Sequence, residues 1–332
     1  MHPALQGLLT IVIGVGGCIG YFYFSNQFLD KVLFPAKGPN AGRNINRANM
    51  IRPWLFLFPA LFALGLYLAY PVVETLRLSL TDRSQGGAFV GFANYSQMFG
   101  EPKFWEAMRN NMLWLIIVPA FSTAFGLLAA QLTDRIAWGN IAKSLIFMPM
   151  AISFVGAAVI WKLVYDVRPA GEGQIGILNA IIVSLGGEPV TFLSVPFWNN
   201  FFLMIVLIWI QTGFAMVILS AALRGIPEET VEAAIVDGAN PFQIFFKIKV
   251  PQIMGTIVVV WTTITIVVLK VFDIVFAMTN GQWETQVLAN YMYDKLFRSN
   301  DWGVGSASAM VIMLLVTPIL VWNVYNARKE MR

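Results

Sequence analysis

Seven apolar runs of about twenty residues each decide what this chain can fold into. They lie near Leu5–Phe24, Trp54–Val73, Met112–Gln131, Ile141–Leu163, Phe201–Leu223, Met254–Met278 and Val304–Tyr325. An α-helix rises about 1.5 Å per residue, so each run can span a hydrocarbon core of roughly 30 Å. Lipid offers the backbone no hydrogen bonds, which leaves helices as the way across. Charged residues make up 12% of the chain, against about 25% in soluble domains. The expected fold class is all-α, a polytopic membrane helical bundle of about seven transmembrane helices. Pro59, Pro119, Pro149 and Pro318 interrupt runs, which membrane helices tolerate when their neighbours satisfy the freed backbone groups.

Loop charge sets the orientation. One set of segments holds Lys31, Lys37, Arg43, Arg47, Arg52, Arg135, Lys143, Arg224, Lys247, Lys249, Arg328, Lys329 and Arg332. The opposite set holds only Arg83, Lys103, Arg109, Lys162, Arg168, Lys295 and Arg298. The richer set belongs in the cytoplasm. The N-terminus is therefore expected outside and the C-terminus inside. The expected division is an extra N-terminal helix in 1–30, a cytoplasmic linker in 31–53 and a membrane domain in 54–332. The first run lacks the basic start and small-residue cleavage site of a signal peptide, which favours a true span. Its Gly16 and Gly20 either admit a second helix or face lipid. Cys18 has no cysteine to pair with.

Enzyme chemistry finds no material here. The single histidine, His2, rules out a histidine-based triad or metal site, and no phosphate-binding loop motif is present. No metal site, catalytic residue or nucleic-acid surface is expected. The outer loops are aromatic, through Phe89, Phe92, Tyr95, Trp161, Tyr165, Trp198, Trp283, Tyr291 and Tyr293. Such rings form either an interfacial belt or a docking surface. Three charge pairs sit at helical spacing: Glu74 with Arg77, Lys162 with Asp166, and Lys270 with Asp273. Lys270 lies deepest in its run, so it is expected to face a polar cavity. Trp209-Ile-Gln-Thr-Gly-Phe214 and Trp261-Thr-Thr-Ile-Thr265 place polar groups and rings mid-span. They either bond a sugar-like ligand or bond neighbouring helices.

A polar interruption from Leu223 to Pro251 separates two apolar runs. Pro227 suits a first helical turn, and Glu228, Glu229 and Glu232 suit a helix N-terminus. Gly238 breaks the pattern. Phe242, Phe245 and Phe246 then precede Lys247, Lys249 and Pro251. Helix, turn, helix is the expected form, a knob that fits a cleft on another protein. A surface helix lying on headgroups is the alternative; the acidic first half disfavours it next to an anionic leaflet.

Glu232-Ala233-Ala234, Asp237-Gly238-Ala239, then Phe245, Ile248 and Pro251, resemble the E-A-A loop of binding-protein-dependent ABC importer permeases. Val250 stands where leucine is usual. Val90–Tyr95, Ile160-Trp-Lys162, Gly176–Asn179, Phe272-Asp-Ile274 and Thr279-Asn-Gly281 resemble the carbohydrate permeases of the maltose and glycerol-phosphate type. The resemblance runs from Trp54 to the C-terminus and is nearest to an α-glucoside permease. It implies a six-helix core and alternating access in a bacterial cytoplasmic membrane. It implies that the loop seats in an ATPase dimer, which holds ATP and Mg, so this chain needs no cofactor. It also implies a second permease subunit and an extracytoplasmic solute-binding protein. Gly281-Gln-Trp-Glu284 departs from the family's G-G-P, which affects the expected conformation of that outer loop.

By the same resemblance a sugar cavity uses Leu207, Ile210, Gln211, Phe214, Ile264, Val267, Val268 and Val271. Val268 and Val271 are apolar where the maltose-type subunit is polar, which implies a different hold on the sugar. A non-sugar solute, such as a glycerol phosphate ester or a polyamine, is the alternative within the same machinery. An ion-coupled secondary carrier is the alternative outside it, and would be expected to show inverted repeats.

Overall fold

In the computed structural model, which describes residues 3–82, 86–134 and 136–330, the apolar runs are helices. His2, Arg83, Arg135 and Arg332 lie outside the described residues. Among the described residues, five helices are long and apolar enough to cross a membrane, and up to seven spans result if each of two bent pairs counts as one. Met1–Glu74 and Thr75–Arg332 are separate compact units.

The first unit holds α1 (Pro3–Phe28) and α2 (Ala41–Leu64). Tyr21 donates its hydroxyl to the Leu55 carbonyl at 2.9 Å, and the Phe22 and Phe56 rings stack at 5.3 Å. Arg52 pairs with Asp30 at 2.6 Å. The second run is longer than the sequence indicates. Its helix starts at Ala41 and continues through a π turn at Gly65–Ala69 into α3 (Tyr70–Ser79). Arg43, Arg47 and Arg52 end the apolar run without ending the helix, since arginine is a good helix former.

In the second unit, a two-residue antiparallel pair, β1 (Thr81–Asp82) and β2 (Ala88–Phe89), precedes α4 (Ala93–Gly100). Next comes α5 (Pro102–Thr133), which opens ten residues before the apolar run because Pro102 starts it and Phe104 and Ala107 bury there. The fourth run is not a straight span. It folds as α6 (Gly139–Phe147), a 3₁₀ turn at Met148–Ala151 and α7 (Phe154–Val164), bent by 106°. Pro149 sits in the turn, and Ser153 Oγ caps α7 by accepting from the Gly156 amide at 3.1 Å.

A short α8 (Ile177–Ser184) leads to α9 (Trp198–Arg224) at the centre of the core. Beyond it lie α10 (Glu228–Val236), α11 (Pro241–Ile244), α12 (Val250–Gln252) and α13 (Met254–Leu269). α14 (Asp273–Met278), α15 (Leu288–Tyr293) and α16 (Trp302–Glu330) complete the chain. The sixth run therefore breaks at Lys270–Phe272, and Lys270 and Asp273 do not share a helical face as their spacing indicates. Lys162 likewise turns from Asp166 and donates to the Ala277 carbonyl at 3.4 Å.

Gly126 sets the closest approach of α5 to α9. A Cβ there would lie 2.4 Å from Ala215 Cβ and 2.8 Å from the Met216 amide nitrogen. Gly126→Val must force the helices apart, at about 1–3 kcal/mol or more. The expected result is a several-fold loss of folded protein in detergent, read by fluorescence-detected size exclusion. An unchanged monodisperse peak would contradict this packing.

Candidate coupling knob and solute cavity

The knob is built by local signals. Pro227 is the N-cap of α10, with Glu228 and Glu229 in its first turn. The helix ends where Gly238 turns left-handed, at φ +80°. That turn brings the Ala239 amide to the Ala234 carbonyl at 2.9 Å and the Gly238 amide to the Ile235 carbonyl at 3.0 Å, a glycine-dependent helix stop. Asn240 and Gln243 then cap α11 reciprocally, each side chain accepting from the other's backbone at 2.9 Å. A π turn at Phe245–Lys249 carries the chain to Pro251. Ala234 packs inward, while Val236 is 87% and Phe242 77% exposed. Glu232, Ala233, Asp237 and Pro251 are exposed, and Ala239, Phe245 and Ile248 half-buried. Exposed apolar side chains on a defined tip are the mark of a contact surface.

The knob is tied to the bundle by a charge node that the sequence did not reveal. Asp134, at the end of α5, pairs with Lys143 of α6. Its Oδ1 also accepts from Ser220 Oγ at 2.9 Å and from Arg224 Nε and NH2 at 3.1 and 3.0 Å, both at the end of α9. Burial works to raise the Asp134 pKa, but bonds from Lys143, Ser220 and Arg224 outweigh it and hold it below its ordinary value of 3.8. One turn earlier, Gln131 accepts from Lys249 Nζ at 3.4 Å. The end of α5 thus touches both stems of the knob.

The resemblance-derived cavity residues divide. Leu207, Val267 and Val271 line a cavity of about 260 Å³ with Phe154, Lys270, Phe272, Asp273 and Ile274. Ile210, Ile264 and Val268 are packed into the core, with Phe214 against its edge. Gln211 is 7% exposed, and its amide bonds no described residue. The mid-span threonines satisfy themselves. Thr212, Thr262, Thr263 and Thr265 each donate to the carbonyl four residues back, at 2.7–2.9 Å. Their hydroxyl protons therefore serve neither neighbouring helices nor a ligand in this state. A larger groove, about 990 Å³, runs along α5, α6, α7 and α9. Beyond Thr133, Thr212 and two indoles its lining is apolar, so it would leave sugar hydroxyls unpaired.

At the opposite end of the bundle, asparagines hold the loop after α14. Asn110 Nδ2 donates to the Glu284 and Gln286 carbonyls at 2.8 and 2.9 Å. Asn200 reaches the Glu284 carbonyl at 3.2 Å, and Asn199 the Trp283 carbonyl at 2.6 Å. Asn280, Trp283 and Glu284 all adopt positive φ, at 54°, 52° and 61°. These bonds hold three residues other than glycine in left-handed backbone, which side chains disfavour. Trp283 stays 48% exposed. The paired asparagines Asn110-Asn111 and Asn199-Asn200, each just before an apolar run, were the available signal.

Comparison with known proteins agrees with this architecture. Residues 122–330 match the family model described as binding-protein-dependent transport system inner membrane component. The alpha-glucoside transport system permease protein of Rhizobium meliloti is 65% identical, covering 99% of each chain. The osmoprotective compounds uptake permease protein of Synechocystis is 49% identical over 84% of this chain and 100% of its own. A bacterial ABC transporter involved in import of the acidic polysaccharide alginate superimposes with a TM-score of 0.73. It is 20% identical, covering 87% of this chain and 99% of that one, which shows the shared fold.

Proposed function

Because the chain belongs to the binding-protein-dependent transport system inner membrane component family, we propose that it imports an α-glucoside or related oligosaccharide by alternating access. It is a permease subunit of an ABC importer. In our reading the Glu232–Gly238 segment seats in a separate ATPase dimer, which carries ATP and Mg. A second permease subunit completes the path, and an extracytoplasmic binding protein delivers the sugar to the Trp283 end.

The carrying observation is the knob: a capped helix–turn–helix, tied to α5 and α9 at its root and apolar at its exposed tip. Such an element turns movement of a partner into movement of spans. The 49% identity to an osmoprotectant permease favours a compatible solute as the second reading. Affinity purification of the chain from its own membranes should bring down an ATPase and a second permease. Loaded binding protein should then raise ATP hydrolysis several-fold, with α-glucosides more effective than other sugars. A chain that purifies alone and transports down an ion gradient would contradict the reading.

Orientation has its own test. With α1 crossing and Lys31–Arg52 inside, Pro3→Cys in a Cys18→Ala background should react with an impermeant thiol reagent in intact cells. Labelling only after permeabilisation would place the N-terminus inside.

A further inference from the structure

We propose that Lys270 and Asp273 grip the transported solute directly and select a net-neutral, polyhydroxylated molecule. This rests on the sugar-import reading and assigns the residues that carry it. The sixth apolar run breaks between Leu269 and Asp273, and the break places both charges on the wall of one cavity of about 260 Å³. Lys270 and Phe272 also line a second cavity of about 350 Å³ beside Tyr293. Among the described residues, neither Lys270 nor Asp273 has an ion-pair or side-chain hydrogen-bond partner. By contrast, Asp134 is paired with Lys143, Lys295 with Glu101 and Arg298 with Asp294. An unmatched charge inside an apolar run is costly and marks a solute path. Lys270 follows the last residue of α13, where a helix C-terminus favours a cation without using its donors.

The pairing of signs sets the solute class. A phosphate ester near Lys270 would also meet the Asp273 carboxylate, and a polyamine near Asp273 would meet the Lys270 ammonium. Sugar hydroxyls serve both, accepting from the ammonium and donating to the carboxylate in charge-assisted bonds. Phe154 and Phe272 line the same cavity, and aromatic rings suit the C–H surfaces of a sugar.

The test uses the intact transporter with its ATPase and binding protein, locked with ATP in an ATPase-inactive background. The probe is whichever radiolabelled α-glucoside (maltose, sucrose or trehalose) most stimulates hydrolysis in the active transporter. Complexes of full stoichiometry should retain at least tenfold less label with Lys270→Gln or Asp273→Asn. Lys270→Arg should stay within about threefold of the unaltered protein. Equal retention in both neutral variants would overturn the proposal while leaving sugar import intact. Absence of retained label in the unaltered complex would overturn the sugar reading and the proposal with it. Displacement of label by glycine betaine, a zwitterion without hydroxyls, would overturn the solute class. If a neutral variant does not assemble, Lys270→Cys in a Cys18→Ala background provides the reading: bound sugar should slow its modification at least fivefold, and equal rates would overturn the proposal.

Discussion

Gly238→Asp is expected to abolish sugar uptake while leaving the subunit inserted in the membrane. Gly238 holds φ +80° at the stop of α10, and a Cβ there would meet nothing within 4 Å. The substitution therefore spares the internal packing of this chain. It instead strains the turn by roughly 1 kcal/mol and places a charged side chain on the exposed tip. In the proposed assembly that tip fills a groove of the ATPase. Uptake in proteoliposomes should fall at least a hundredfold, and loaded binding protein should no longer stimulate hydrolysis. Uptake within twofold of the unaltered protein would remove the knob from the coupling path.

Asp134→Ala carries the second large effect. It leaves Lys143 half-buried beside an unfilled position and releases Arg224 and Ser220 at the root of the knob. Losing charge-assisted bonds of this kind costs about 1–3 kcal/mol. The expected result is a tenfold or greater fall in uptake per ATP hydrolysed, in transporter that still assembles. Asp134→Glu, which keeps the charge, should recover most of the coupling. A merely structural role would lower yield and leave the uptake-to-hydrolysis ratio unchanged. The sign of the pKa shift adds a check. The folded Asp134 pKa is depressed, so the node's contribution is present above the ordinary 3.8 and is lost as pH falls through the lower folded value. Coupling through Asp134 should therefore not vary between about pH 5 and 8.

The sequence made some of these parts legible through local chemistry. Pro227 and Gly238 punctuate the knob with residues whose backbone preferences act at short range, and the structure follows them. The apolar runs announce membrane helices because burial in lipid requires them. Interruptions inside those runs were harder to see. Pro149 was visible as a proline, but the 106° bend depends on how α6 and α7 pack around it. The break at Lys270 has no glycine or proline beside it, so spacing alone suggested one continuous helix. Tertiary packing of α14 against α7 and α9 decides that break. The bonds from Asp134 to Ser220 and Arg224 and the asparagine clamp join residues roughly 80 to 180 positions apart. No local pattern encodes such pairings; only the charged or amide residue at the end of an apolar run hints at them.

In the proposed mechanism, movement of a partner ATPase, received at the knob, opens a sugar path through this chain. The most direct measurement is uptake of radiolabelled α-glucoside into proteoliposomes holding the purified transporter, with ATP sealed inside and loaded binding protein outside. Accumulation should require both ATP and binding protein and should disappear with Gly238→Asp. Accumulation without ATP, or persistence in the Gly238→Asp transporter, would contradict that mechanism.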